Sequence, residues 1–349
     1  MAALAVSLLL LCGCLTPPGY LLKQGRYLLQ YSWGARDIDA LLASASTPSD
    51  TRDFLLRVKE IKRFGVERIG LRENASYTRY KEIDRNSLAS VVSACDAVSF
   101  TPHNWEYPVL GKLPYMGFYE RPDAEAEAAR LREEGYDVII REVEAFSTLG
   151  FLRDPLYSFM KRSSDFHIAS LLMHEQTHAT LFVKGQAQFN EELATFVGEE
   201  GAFAWLREKH GANSPKYRAA VDERADSESF LAFVRELARA LDEIYRGPLS
   251  REEKLVRKRE IIDSYRERFA AETRPLFRSE PYRRMADPRI NNAWLSLYAL
   301  YTDDIPLLRF YWERRCGSDL RRFLEAARKL AAKGDVRDLM RRALENSAE

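Results

Sequence analysis

Cysteine is scarce in this sequence: there are four, and Cys12 and Cys14 both fall within the first fifteen residues. No Cys-x-x-Cys pair occurs, which excludes a thiolate zinc site and thioredoxin-type redox chemistry. Cys95 and Cys316 are left for one disulfide in an oxidising compartment or for two inert buried thiols. An excess of either charge is also missing. Lys and Arg number 53 against 52 for Asp and Glu, so no global field draws the chain to nucleic acid or to a polyanion. The basic-looking KLVRKREIIDSYRERF is interleaved with acids and reads as a solvated helix face. Internal repeats and low-complexity linkers are absent as well. No apolar run reaches the roughly 20 residues of a spanning helix.

The longest apolar run, Ala2 to Leu15, ends at Thr16-Pro17-Pro18-Gly19 and has the length of a signal-peptide core. Leu11-Cys12-Gly13-Cys14 looks like a lipobox, with Cys14 lipidated and becoming the mature N-terminus. No Lys or Arg precedes the run, which departs from the usual signal. The expectation is an exported lipoprotein of the cell envelope, held to the membrane on its periplasmic side.

A signal segment over 1–18, helices with a small mixed sheet over 19–160, and a helical region over 161–349 are the expected divisions, the last two allowed to form one catalytic unit. YLLKQGRYLLQY and FLLRVKEIKRFG have helical periodicity. Residues 88–101 and 136–146 are rich in β-branched and aromatic side chains and read as strands. DAEAEAARLREEG between them reads as a helix. DFHIASLLMHEQTHATLFVKG reads as one helix stopped by Gly185, followed by another over FNEELATFVGEEGAFAWLREKHG. Long charged helices are expected over 226–275, and two more over 291–333. The fold class is α+β and mostly helical.

Histidine is rare too, with five in the chain, yet two stand four apart in LLMHEQTHATLF. On a helix His174 and His178 share a face and can meet one ion. Glu175 sits about 100° further round, beside such an ion, placed to take a proton from water and pass it to a leaving amine. Chance alone would put H-E-x-x-H in about one chain in a hundred of this composition. A catalytic zinc needs a third protein ligand and an open fourth position. The metzincin extension would require Gly and His where Leu181 and Lys184 stand, so that class is excluded. Glu191, Glu192, Glu199 and Glu200 are the acids of the next helix. Glu191 shares its face with Ala194, Thr195 and Gly198, all small, as close packing on the histidine helix demands, and is taken as the third ligand, with Glu192 as runner-up. Thr195 stands where it could bond a ligand histidine or serve only helix packing. His167, seven residues before His174, is read as structural, and His103 and His210 as surface residues. Asn291 and Asn292 are read as capping a helix or tying it to the core.

HEQTHATLFVKG followed by FNEELATFVGEEG resembles the predicted zinc aminopeptidase family of bacterial envelope lipoproteins. Asn190-Glu191-Glu192-Leu193-Ala194 is similar to the Asn-Glu-x-x-Ala element of gluzincin aminopeptidases, whose Glu binds zinc, matching Glu191. GYLLKQGRYLLQ, PYMGFY, AEAARLREEGYDV, AFSTLGFLRDP and NNAWLSLYALY extend the likeness over most of the chain. Two departures stand out: Gln176 and Thr177 replace apolar or small residues inside the motif, and a cysteine pair around NWEYPVLGKLPYMG is missing. The resemblance implies a zincin-like fold with a small mixed sheet beside the active-site helix, zinc as cofactor, a peptide substrate and aminopeptidase specificity. It implies an edge strand that holds substrate by β-augmentation, for which 145–150 (AFSTLG) is the candidate. An oxyanion donor is required besides the metal; Tyr301 is nominated, with Tyr298 as rival. Two alternatives stay open on the residues alone: a catalytically silent metal-binding envelope lipoprotein, and a metallohydrolase of a non-peptide envelope polymer.

Overall fold

The computed structural model describes residues 18–107, 111–143, 154–284, 289–299 and 305–345. Helices dominate and the sheets have two or three strands each, a mostly helical α+β fold. The chain divides into two units interleaved in sequence. One comprises Met1–Gly34, Arg85–Phe146 and Ala225–Leu300, the other Ala35–Asp84, Ser147–Arg224 and Tyr301–Glu349.

The first unit contains the strands legible in the sequence. Ala89–Asp96 runs at the centre of an antiparallel sheet between Met116–Phe118 and Tyr136–Val143, with Val92 opposite Ile140. Seven of the eight residues of the central strand are buried, so both faces are covered and no alternation shows. Helix Arg121–Glu133 turns Ala124, Ala128 and Leu131 inward at spacings of four and three, onto the core of Val92, Met116 and Val138. Gly135, at φ +86°, adopts the left-handed turn that sends the chain directly into Tyr136–Val143.

A second core in this unit joins Phe230, Val234, Leu237 and Leu241 of helix Pro215–Arg246 to Phe269, Trp294 and Leu295. Asn291 caps helix Asn292–Ala299, its side-chain oxygen accepting from the Trp294 amide at 2.9 Å, and its amide donates to Val138 O at 3.1 Å. Asn292 donates to Asp96 O and Ser99 O and accepts from the Tyr245 hydroxyl. Both asparagines do what the sequence suggested.

The second unit holds a mixed sheet. Arg36–Asp37 pairs antiparallel with Arg79–Lys81, which pairs parallel with Leu156–Tyr157. Helix Ser49–Phe64 buries Phe54, Leu55, Val58 and Ile61 and runs into a π-turn ended at Gly70, φ +84°. Ser164 caps helix Asp165–Thr180, accepting from the His167 amide at 3.1 Å. Helix Ala187–His210 follows and stops at Gly211. Ile305–Cys316, Leu320–Ala331 and Val336–Glu345 complete the unit, with Phe196 against Trp312 and Phe323.

Several expectations need correction. The histidine helix ends at Thr180 rather than Gly185, because Leu181 is extended and Asn190 holds both the N–H and the C=O of Val183. Residues 291–333 hold three helices among the described residues instead of two. His210 is half-buried against Asp165 and Trp205, and His103 against Trp105 and Tyr136, so neither is a plain surface residue. Cys95 and Cys316 are both free and buried. The segment 145–150, Tyr301 and Cys14 lie outside the described residues.

Candidate metal centre

Two helices build the site, and glycine lets them meet. A Cβ added to Gly198 would stand 2.7 Å from Ser170 O and 3.2 Å from both Cβ and N of His174. The small face predicted around Glu191 is thus a close helix contact, with Ala194 fully buried in it. Asn190 closes the link between the helices. Its side chain, 1% exposed, donates to Val183 O at 2.9 Å and accepts from Val183 N at 2.8 Å, fixing the residue directly before Glu191. The sequence reading valued Asn190 only for likeness to another motif. An asparagine next to a ligand candidate, just past a glycine turn, was the signal for this positioning role.

The Nε2 atoms of His174 and His178 lie 3.1 Å apart, with the rings nearly perpendicular at 85°. Glu191 brings its two carboxylate oxygens to 3.6 Å from His174 Nε2 and 3.5 Å from His178 Nε2. Donors about 2.0 to 2.1 Å from a tetrahedral zinc stand about 3.4 Å from one another. The three edges bracket that value, and two imidazoles with one carboxylate are a donor set zinc accepts. The residues fit the ion. His178 is 5% exposed, His174 23% and Glu191 56%, so the triangle has one face toward solvent.

Electrostatics agree with such a set. Burial pushes the His178 imidazole below its ordinary value, with His174 adding to the effect and Glu191 opposing it. Glu191 is held below the usual carboxylate range, chiefly by His174 and, despite some burial, by His178 too. His178 is therefore biased toward the neutral imidazole and Glu191 toward the ionised carboxylate, the protonation states of metal ligands. Nδ1 of His178 is buried and makes no hydrogen bond among the described residues. Thr195, offered by the sequence as a partner for a ligand histidine or as a helix-packing residue, is half-buried and makes no hydrogen bond to either histidine among those residues.

The competing glutamates point elsewhere. Glu192 is buried, accepts from Gln188 Nε2 at 2.9 Å and has Arg337 at 4.0 Å. Glu200 is buried between Arg224 at 2.8 Å and Arg309 at 2.6 Å. Glu199 is half-buried and does not join the triangle. Nor does His167, at the exposed start of the helix. Glu175 is half-buried, and its charge acts on the buried phenol of Tyr77, whose pKa is raised well above the ordinary tyrosine value by burial and then by Glu175. Tyr77 takes the left-handed conformation at φ +59° and leaves its hydroxyl without a hydrogen bond among the described residues. Nothing in Ser76-Tyr77-Thr78 announced this placement. Tyr298 packs at an angle to Trp294 and edge-on to Phe230 in the aromatic core of the other unit.

With the geometry in view, the family is clear. Residues 19–341 match a family described as "Putative aminopeptidase", and the chain belongs to it. No curated protein and no solved structure matches the chain.

Proposed function

We propose that the chain is a zinc-dependent aminopeptidase in which His174, His178 and Glu191 hold the metal and Glu175 is the general base. The observation that carries this reading is the triangle of two imidazole nitrogens and one carboxylate, open on one side, with Glu175 one residue from the first ligand. A zinc ion there supplies a Lewis acid that acidifies water and polarises a carbonyl. Glu175 takes the proton of the attacking water and returns it to the departing amine, while a ligand set of two imidazoles and the Glu191 carboxylate would carry a single negative charge. Gly198 and Asn190 hold the two helices in register so that the triangle is formed before substrate arrives.

Aminopeptidase specificity rests on the family. An exopeptidase must also meet the substrate's free amine with a carboxylate, for which this helix offers Glu192, Glu199 and Glu200: Glu192 is engaged with Gln188 and Arg337, Glu200 with two arginines, and Glu199 is half-buried. In the same reading Cys14 carries the lipid that anchors the exported chain to the envelope membrane.

The experiment compares zinc-loaded wild type with Glu175→Gln on aminoacyl chromogenic substrates and on N-blocked peptides. Wild type cleaves the free-amine substrates, and the variant keeps its zinc while turnover falls about 10²- to 10⁴-fold. Cleavage confined to blocked peptides retains the peptidase and removes the exopeptidase assignment. Equal turnover by the variant removes the mechanism.

A further inference from the structure

The first helix, Pro18–Ser32, has two faces of different character. Its inner face is spent on its own unit: the Tyr20 hydroxyl donates to Gly117 O at 2.6 Å, Gln24 accepts from the Tyr119 amide at 3.1 Å, and Tyr27 and Tyr31 pack on the Tyr119 ring. The outer face, offset by two residues, carries Leu22, Arg26, Leu29 and Trp33 at spacings of four, three and four. Leu22 is 69% exposed, Leu29 65% and Trp33 79%. Trp33 lies one residue beyond the helix, but its amide donates to Leu29 O at 2.7 Å and so continues the helical turn. Arg26 makes no ion pair among the described residues, whereas the neighbouring Lys23 is tied to Asp123 at 2.7 Å.

We infer that this stripe lies in the headgroup region of a lipid bilayer. Two leucines and a tryptophan around an arginine make an interfacial face, in which the ring and the aliphatic groups enter the acyl boundary and the guanidinium stays among anionic headgroups. Position argues for the same occupant. Only three residues lie between Cys14 and Pro18, a reach of at most about 14 Å over the four steps. A lipid on Cys14, which is part of the proposed function and on which this inference partly rests, would bring the stripe to the bilayer surface. Three apolar side chains on one helix face also fall well short of the roughly 800 Å² per partner of a specific protein interface. A lipid at Cys14 ties the chain to the bilayer at one point only, so a second contact of this kind fixes which side faces the membrane.

The test uses the full chain on vesicles of phosphatidylethanolamine and phosphatidylglycerol with brominated acyl chains, and reads tryptophan emission. Trp105, Trp205 and Trp294 are at most 7% exposed and Trp312 is half-buried, so the part of the quenching that disappears in Trp33→Phe reports this site. The expected result is quenching at Trp33 that falls at least about twofold in Leu22→Gln/Leu29→Gln, with the zinc content unchanged. Trp33 emission indifferent to vesicles, quenching unaltered by the leucine changes, or a stripe covered by a second copy of the chain without vesicles would each overturn the inference. The mass of the N-terminal peptide separates the two readings. An unmodified Cys14 with Trp33 still quenched removes the lipid anchor and keeps the docking face.

Discussion

In the unit built on the antiparallel sheet, the buried Lys258 ammonium is met by Asp137 and Ala97 O, and Asp137 also accepts from the Asn292 amide at 2.6 Å. Asp226, also buried there, takes the amides of Arg278 and Ser279 and the Ser279 hydroxyl. The unit that carries the histidine helix is made differently. Tyr77 Oη, Gln176 Oε1 and His178 Nδ1 are all buried without a hydrogen bond among the described residues, and Tyr77 is in a left-handed conformation as well. An unmatched buried polar atom costs about 1–3 kcal/mol, and a strained backbone a similar amount. Three such atoms lie on or beside the helix that bears the candidate metal triangle, and Asn74 Oδ1 and Trp312 Nε1 of the same unit are also buried without a hydrogen bond among the described residues. Departures of this kind from a fully satisfied interior are expected around a functional site, which is where the proposed function puts the histidine helix.

This contrast can be broken from either side. In the sheet unit, Lys258→Met leaves the Asp137 carboxylate without its buried cation and should destabilise the protein by about 3 kcal/mol in denaturant unfolding, with zinc content preserved. A loss below about 1 kcal/mol would place that pair with ordinary surface ion pairs and weaken the contrast. In the histidine unit, Gly198→Ala drives a Cβ into a backbone carbonyl of the facing helix. It should lower stability by about 2 kcal/mol and lower zinc affinity together, because the helices that hold the ligands must part. Unchanged zinc affinity would mean that the close contact does not set the ligand geometry. The smallest effect has the opposite sign. Tyr77→Phe removes an unpaired buried hydroxyl while keeping the ring, and should raise the unfolding free energy by about 1 kcal/mol. A destabilised variant would reveal a structural partner for the hydroxyl.

Much of the site was legible because its geometry is local. His174, Glu175 and His178 are placed by the pitch of one helix, and the preference for Glu191 followed from the small residues one and two turns after it, whose close approach Gly198 displays. The strands at 89–96 and 136–143 were legible for the same reason, each being eight residues long with adjacent β-branched residues at or near its centre, Val91-Val92 in one and Val138-Ile139-Ile140 in the other. What stayed hidden depends on contacts distant in sequence. The mixed sheet of the histidine unit uses strands of two and three residues, too short to show a period of two. The early end of the histidine helix is imposed by Asn190, a residue of the next element, and it overrides the helical periodicity that carried the expected helix on to Gly185. The strain at Tyr77 and the interleaving of the two units leave no mark on local composition.

The central claim concerns which side chains hold a metal, and zinc content measures it directly. Purified protein incubated with zinc and dialysed should retain about one ion per chain; Glu191→Ala should lose it, and Glu192→Ala should keep it. Wild-type protein that emerges free of zinc, or a Glu191→Ala variant that still holds a full equivalent, would contradict the account.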